Sequence, residues 1–143
     1  MKNSIPQDLM KGWTVVVADD ELDSLEIASL ILRFYGADVI ECADGREALE
    51  AVRKHHPRFV ISDLSMPRMD GWGLIYQLKL ERATLEIPVI ALTAHAMTGD
   101  RQRAIAAGFH NYLTKPLTVE TFMTDLLFIL IEIPELALLL KEK

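Results

Sequence analysis

The chain has 143 residues, 50% of them hydrophobic and 25% charged, and a formal net charge of −6. That length predicts one folded domain of ordinary size, with no room beside it for a second catalytic or DNA-binding domain. The composition excludes a disordered chain, and the acidic balance excludes a direct nucleic-acid partner, since phosphate backbones select basic surfaces.

Cys42 is the single cysteine, so no internal disulfide can form. The opening residues, Met1 to Pro6, contain no apolar signal core. The most apolar run, Leu126 to Ile133, already includes Glu132 and stops at Pro134. It is too short to span a bilayer, so the expectation is a cytoplasmic protein with no membrane contact. Residues 1–12 read as a polar, loosely held tail, 13–133 as the domain, and 134–143 as a short helical extension.

In chain order, Trp13–Ala18 reads as a buried strand and Asp23–Tyr35 as a helix closed by Gly36. Ala37–Glu41 is a second strand, and Gly45–His55 a helix that stops before Pro57. Phe59–Ser62 is the third strand. Trp72–Arg82 follows as a helix with Leu74, Ile75 and Leu78 on one face. Pro88–Leu92 and Asn111–Leu113 complete the strands, with Thr98–Ala107 as the helix between them. The last long helix, Thr118–Ile133, has Thr118 and Thr121 available for capping. Its expected inner face is Val119, Phe122, Leu126 and Leu130, which leaves Phe128, Ile129 and Ile131 partly outward. Pro134–Leu140 opens a further apolar turn, either folded back on the domain or offered as a docking surface.

Strand and helix alternate five times, which predicts an α/β fold with a parallel sheet and helices on both faces. In such a sheet ligands bind beyond the carboxyl ends of the strands. The residues at those ends form an unusual set: Asp19, Asp20 and Glu21 after the first strand, Asp63 after the third, Thr93 after the fourth, Lys115 and Pro116 after the fifth. Taken singly, each has an ordinary reading as a turn, cap or surface residue. Together, Asp19, Asp20 and Asp63 carry about −3 if all are ionised, and like charges that close resist ionisation. Mg²⁺, a hard cation that prefers oxygen ligands, fits such a cluster, and with Lys115 it brings the local charge back to roughly zero. The site can then take a phosphoryl group, with Asp63 as carboxylate nucleophile and Thr93 as a donor to a transferred oxygen.

The segments Val15–Glu21, Ile61–Gly71, Ala91–Ala94 and Tyr112–Pro116, in this order, resemble the receiver domain of bacterial two-component response regulators. The resemblance spans residues 13 to 131. It implies a flavodoxin-like, doubly wound five-stranded sheet of order 2-1-3-4-5, and a signalling protein rather than a turnover enzyme. It implies Asp63 as phosphoacceptor, Mg²⁺ (or Mn²⁺) held by Asp20, Asp63 and the Ser65 backbone carbonyl, and Asp19 acting through water. Lys115 would pair with Asp63 and then with the phosphoryl group, Thr93 and Tyr112 would form the switch pair, and Pro116 would follow a cis bond. The implied partners are a sensor histidine kinase or a histidine phosphotransfer protein, and a downstream protein on the face of the fourth helix, fifth strand and fifth helix, with a homodimer as one alternative. The resemblance further implies that Ser65, and His95 two residues beyond Thr93, would influence how fast the phosphoryl group is lost.

Three competitors remain at this stage. An aspartate-nucleophile phosphatase of the haloacid-dehalogenase type carries a second acid two residues after its nucleophile, where this chain has Ser65. A phosphorylation-independent adaptor has no need of the intact acidic set. A flavin protein of like topology needs a Gly- and hydroxyl-rich first loop rather than Asp19-Asp20-Glu21.

Overall fold

The computed structural model describes residues 5–94 and 100–141. Five strands alternate with helices: β1 (Thr14–Ala18), α1 (Leu22–Phe34), β2 (Asp38–Cys42), α2 (Gly45–His55), β3 (Phe59–Asp63), α3 (Gly71–Leu80), β4 (Val89–Thr93), α4 (Asp100–Ala107), β5 (Asn111–Thr114), α5 (Phe122–Leu130) and α6 (Pro134–Lys141). The strands form one parallel sheet in the order β2-β1-β3-β4-β5. This is the expected topology.

The twofold alternation of side chains along a strand builds two cores at once. Val15 and Val17 point into one layer with α1, α5 and α6; Val16 and Ala18 point into the other with α2, α3 and α4. The three inner strands β1, β3 and β4 are buried on both faces, which is why their sequences are near-continuous apolar runs. Helix ends follow local chemistry. Asp44 caps α2 through the Glu47 amide at 2.9 Å, and Asp70 caps α3 through the Gly73 amide at 2.8 Å. Gly36, at φ +98°, turns the chain out of α1 in the left-handed region that glycine favours.

Several expectations need correction. Of the expected loose tail, residues 5–12 are fastened: Leu9 and Met10 are 5% and 0% exposed, and the Met10 amide donates to Tyr35 O at 2.8 Å. Leu9 and Met10, with Ile5 packed against the same cluster, fasten an otherwise polar stretch onto the α1 layer. Val119 is exposed, not internal, because α5 starts only at Phe122. Ile129 is buried rather than outward, while Phe128 and Ile131 are exposed as expected. In α6, Leu136 is buried in the same cluster as Leu9 and Met10, so this turn folds back on its own domain, although Leu138 faces outward. The expected start of the fourth helix, Thr98, lies outside the described residues.

Candidate functional site

The carboxyl ends of β1, β3, β4 and β5 meet at one edge of the sheet. Asp19 follows β1 directly and is fully buried; its amide donates to Cys42 O at 3.0 Å, which fixes the turn into α1. Asp20 points outward from the same turn. Asp63 and Thr93 were expected just past their strands. Each is instead the last residue of its strand, in register with Leu92 and Thr114 respectively. That ladder position leaves Asp63 only 7% and Thr93 only 5% exposed. Lys115 follows β5, donates its amide to Thr93 O at 2.8 Å, and is joined to Pro116 by a cis bond.

The side chains converge. One oxygen each from Asp19, Asp20 and Asp63 lie within 4.8 Å of one another. Lys115 Nζ is 3.0 Å from Asp63 Oδ2, 3.2 Å from Asp19 Oδ1 and 2.9 Å from Glu21 Oε1. Asp19 Oδ1 also accepts from the Glu21 amide at 2.9 Å. Its other oxygen, Oδ2, is buried without a hydrogen bond, although Lys115 Nζ lies 3.1 Å away. Burial pushes Asp19 up to about 6, with the neighbouring Asp63 adding to the rise and the Glu21 amide and Lys115 opposing it. Burial alone would lower Lys115, but hydrogen bonds to Glu21, Asp63 and Asp19 together hold it above its usual range. Glu21 is held below the usual carboxylate range by Lys115 and by Ser24, whose Oγ donates at 2.8 Å.

Four acids against one ammonium leave roughly −3 of charge at this edge. A buried carboxylate oxygen with no hydrogen bond, in an oxygen-only cluster that one ammonium leaves net negative, is what a hard divalent cation satisfies, so these residues fit Mg²⁺.

The loop from Leu64 to Asp70 forms the opposite wall. Ser65 is exposed there, with its amide 3.3 Å from Asp63 Oδ1. Gly71 lets this loop close on the strand, since a Cβ there would lie 2.3 Å from Asp63 O. The resulting cleft of about 1180 Å³ is lined by Asp20, Asp63, Ser65, Thr93 and Lys115, together with Trp72 and Arg103. The Arg103 guanidinium sits 4.5 Å above the Trp72 ring, and Trp72 packs edge-on against Phe109. Tyr112 does not line the cleft; it is half-buried against the α2–α4 layer. His95 lies outside the described residues. Sequence reasoning missed the hold of Glu21 on Lys115. Its one signal was the acid directly after Asp19-Asp20.

An open doubly wound sheet with a carboxylate cluster and a lysine at its switch point defines the receiver class. The family described as the response regulator receiver domain matches residues 15–127, and the chain belongs to that family of two-component signalling proteins. It is 34% identical over 114 residues to the polar-differentiation response regulator DivK of Brucella ovis, covering 80% of this chain and 92% of DivK. It spans 79% and 44% of the lengths of two further relatives. The chemotaxis response regulator CheY4 of Vibrio cholerae superposes with a TM-score of 0.77 at 30% identity, over 82% of this chain and 98% of CheY4. The receiver domain of sensor histidine kinase PA1611 from Pseudomonas aeruginosa, solved with a magnesium ion coordinated in its active site cleft, gives 0.72 at 27% identity over 80% and 94%. No helix among the described residues is long and apolar enough to cross a membrane.

Proposed function

We propose that Asp63 accepts a phosphoryl group in a Mg²⁺-dependent reaction and that the modified chain switches a protein-binding face. The observation that carries this reading is the Lys115 ammonium 3.0 Å from Asp63 Oδ2, inside a cluster of acids that needs further positive charge. Asp20, Asp63 and the Ser65 carbonyl would hold the ion, with Asp19 acting through water. When bound, Mg²⁺ supplies charge that offsets the transferred phosphoryl oxygens. The magnesium in the cleft of the PA1611 receiver supports this assignment.

The donor is a phosphohistidine of a kinase or phosphotransfer protein, or a small acyl phosphate. An Asp63 oxygen attacks phosphorus, the P–N or P–O bond to the donor breaks, and the leaving imidazole or carboxylate departs with that electron pair. An acyl phosphate forms on Asp63. Lys115 then turns from the carboxylate to the phosphoryl oxygens, and the Thr93 hydroxyl donates to one of them. Thr93 ends β4 next to β5, which carries Tyr112 in register with Ala91. That adjacency supports a linked movement of hydroxyl and ring, read out on the face of α4, β5 and α5 by a downstream protein or a second copy. Signalling rather than turnover is the role, with self-dephosphorylation as the only hydrolysis.

Intact-protein mass spectrometry after incubation with acetyl phosphate, with and without Mg²⁺, tests the proposal. The expected result is a single Mg²⁺-dependent phosphoryl adduct that Asp63→Asn does not form. An adduct of equal yield in the variant would move the acceptor elsewhere.

A further inference from the structure

Arg68 lies in the β3–α3 loop with φ +64°, a left-handed conformation that a side chain with a Cβ rarely adopts. Its side chain crosses to the start of α2. There Nε donates to Asp44 Oδ2 at 2.7 Å, and Nη2 bonds the same oxygen. Asp44 is only 1% exposed, and its other oxygen is already committed to the Glu47 amide as the helix cap. The next residue of the loop is fastened too: Met69 O accepts from the Gly45 amide at 2.8 Å, and a Cβ on Gly45 would lie 2.3 Å from that oxygen. The end of β2, just before this connection, holds the other wall of the acidic cleft, where Cys42 O accepts from the Asp19 amide at 3.0 Å. Both walls of the candidate cation site therefore hang on residues 42–45.

An exposed ion pair contributes little to stability. In this pair the arginine is 66% exposed, but its acid is buried at 1% and the arginine is carried on an unfavourable backbone in the loop that walls the cleft. We infer that Arg68 is a positioning residue, which through Asp44 clamps the loop that follows Asp63 and bears Ser65 in the arrangement that receives the divalent cation. The inference rests on the function proposed above and adds a residue to it that touches neither ion nor phosphoryl group.

The test compares wild type, Arg68→Ala, Arg68→Lys and Asp44→Asn. Asparagine caps a helix as well as aspartate does, so Asp44→Asn removes the charge and keeps the cap. Mg²⁺ binding is read by Trp72 fluorescence and by calorimetry, urea denaturation is run alongside, and hydrogen exchange of the 64–70 amides is followed without metal. Arg68→Ala and Asp44→Asn are expected to weaken Mg²⁺ binding by about tenfold, as loss of a residue supporting a metal ligand does. Their loop amides are expected to exchange faster at an unchanged urea midpoint, and Arg68→Lys to recover part of the affinity. If wild type binds Mg²⁺ and the variants bind it equally tightly, the inference fails while the proposed function stands. Weakened binding that merely tracks a lowered urea midpoint also overturns it. A wild-type chain that binds no Mg²⁺ overturns the proposed function, and this inference with it.

Discussion

Lys115 answers to three carboxylates at once, and that divided loyalty separates two of its tasks. Asp20 and Asp63 do not need it to attract a cation, but the phosphoryl group needs it to be felt beyond the site. Lys115→Ala is expected to keep Mg²⁺ binding and to lose the change in hydrogen exchange that phosphorylation causes across α4, β5 and α5. A variant whose exchange pattern responds as wild type does would remove that role from the lysine. Asp19 gives a pH test. Folding raises it from 3.8 to about 6, chiefly through burial. The folded state thus binds this proton more tightly than the unfolded one, so the group's contribution to stability is full below its ordinary value and fades as pH rises through about 6. Cation binding runs the other way, because it requires the carboxylate ionised: the Mg²⁺-induced rise in Tm is expected to be larger at about pH 7.5 than at about pH 5. Asp19→Asn should narrow that difference, and an equal rise at both pH values in wild type would contradict the assignment.

Among the elements, the junction of the β3–α3 loop with α3 leaves no space for a side chain. A methyl group on Gly71 meets the Asp63 carbonyl, which belongs to strand backbone and cannot swing aside. Gly71→Ala is expected to cost at least the about 1–3 kcal/mol of ordinary overpacking, seen in the urea midpoint. Strands and helices were legible in the sequence because each apolar run is punctuated by glycine, proline or a charge, as where Gly36 ends α1. The start of α5 was not. Thr118 and Thr121 look like caps, yet their hydroxyls bond each other at 2.6 Å and the helix begins after both. The acids and the lysine of the site were legible because each stands at the end of a readable strand. Their partnerships were not: Lys115 with Glu21 and Arg68 with Asp44 span 94 and 24 residues, and no local spacing announces either.

At the scale of the whole molecule, the sheet divides the chain into two cores with different loads. The α2–α4 layer braces the cleft, whereas the α1–α5 layer also takes up both outlying segments, through Leu9, Met10 and Leu136. Sequence averaging hid Leu9 and Met10 inside a polar stretch, since burial there depends on what α1 and α5 leave uncovered. Leu136→Ala is expected to cost about 2–5 kcal/mol, because Leu136 is only 3% exposed within this core cluster; chemical denaturation checks it. Phe128 and Ile131, at 65% and 53% exposed, stay on the outside of this layer. If they mediate pairing of two copies, Phe128→Glu lowers the sedimentation coefficient of a concentrated sample, and identical sedimentation of both chains excludes that pairing.

Gly12 and Thr14 line one shallow groove together with Leu136, Leu138 and Leu139, so the residues leading into β1 lie beside α6. That groove lies at the amino-terminal end of the sheet, where Thr14 opens β1, and the acidic cleft lies at the other. A bulky label on Leu138, which is exposed beside that groove, is therefore expected to leave access to Asp63 unobstructed.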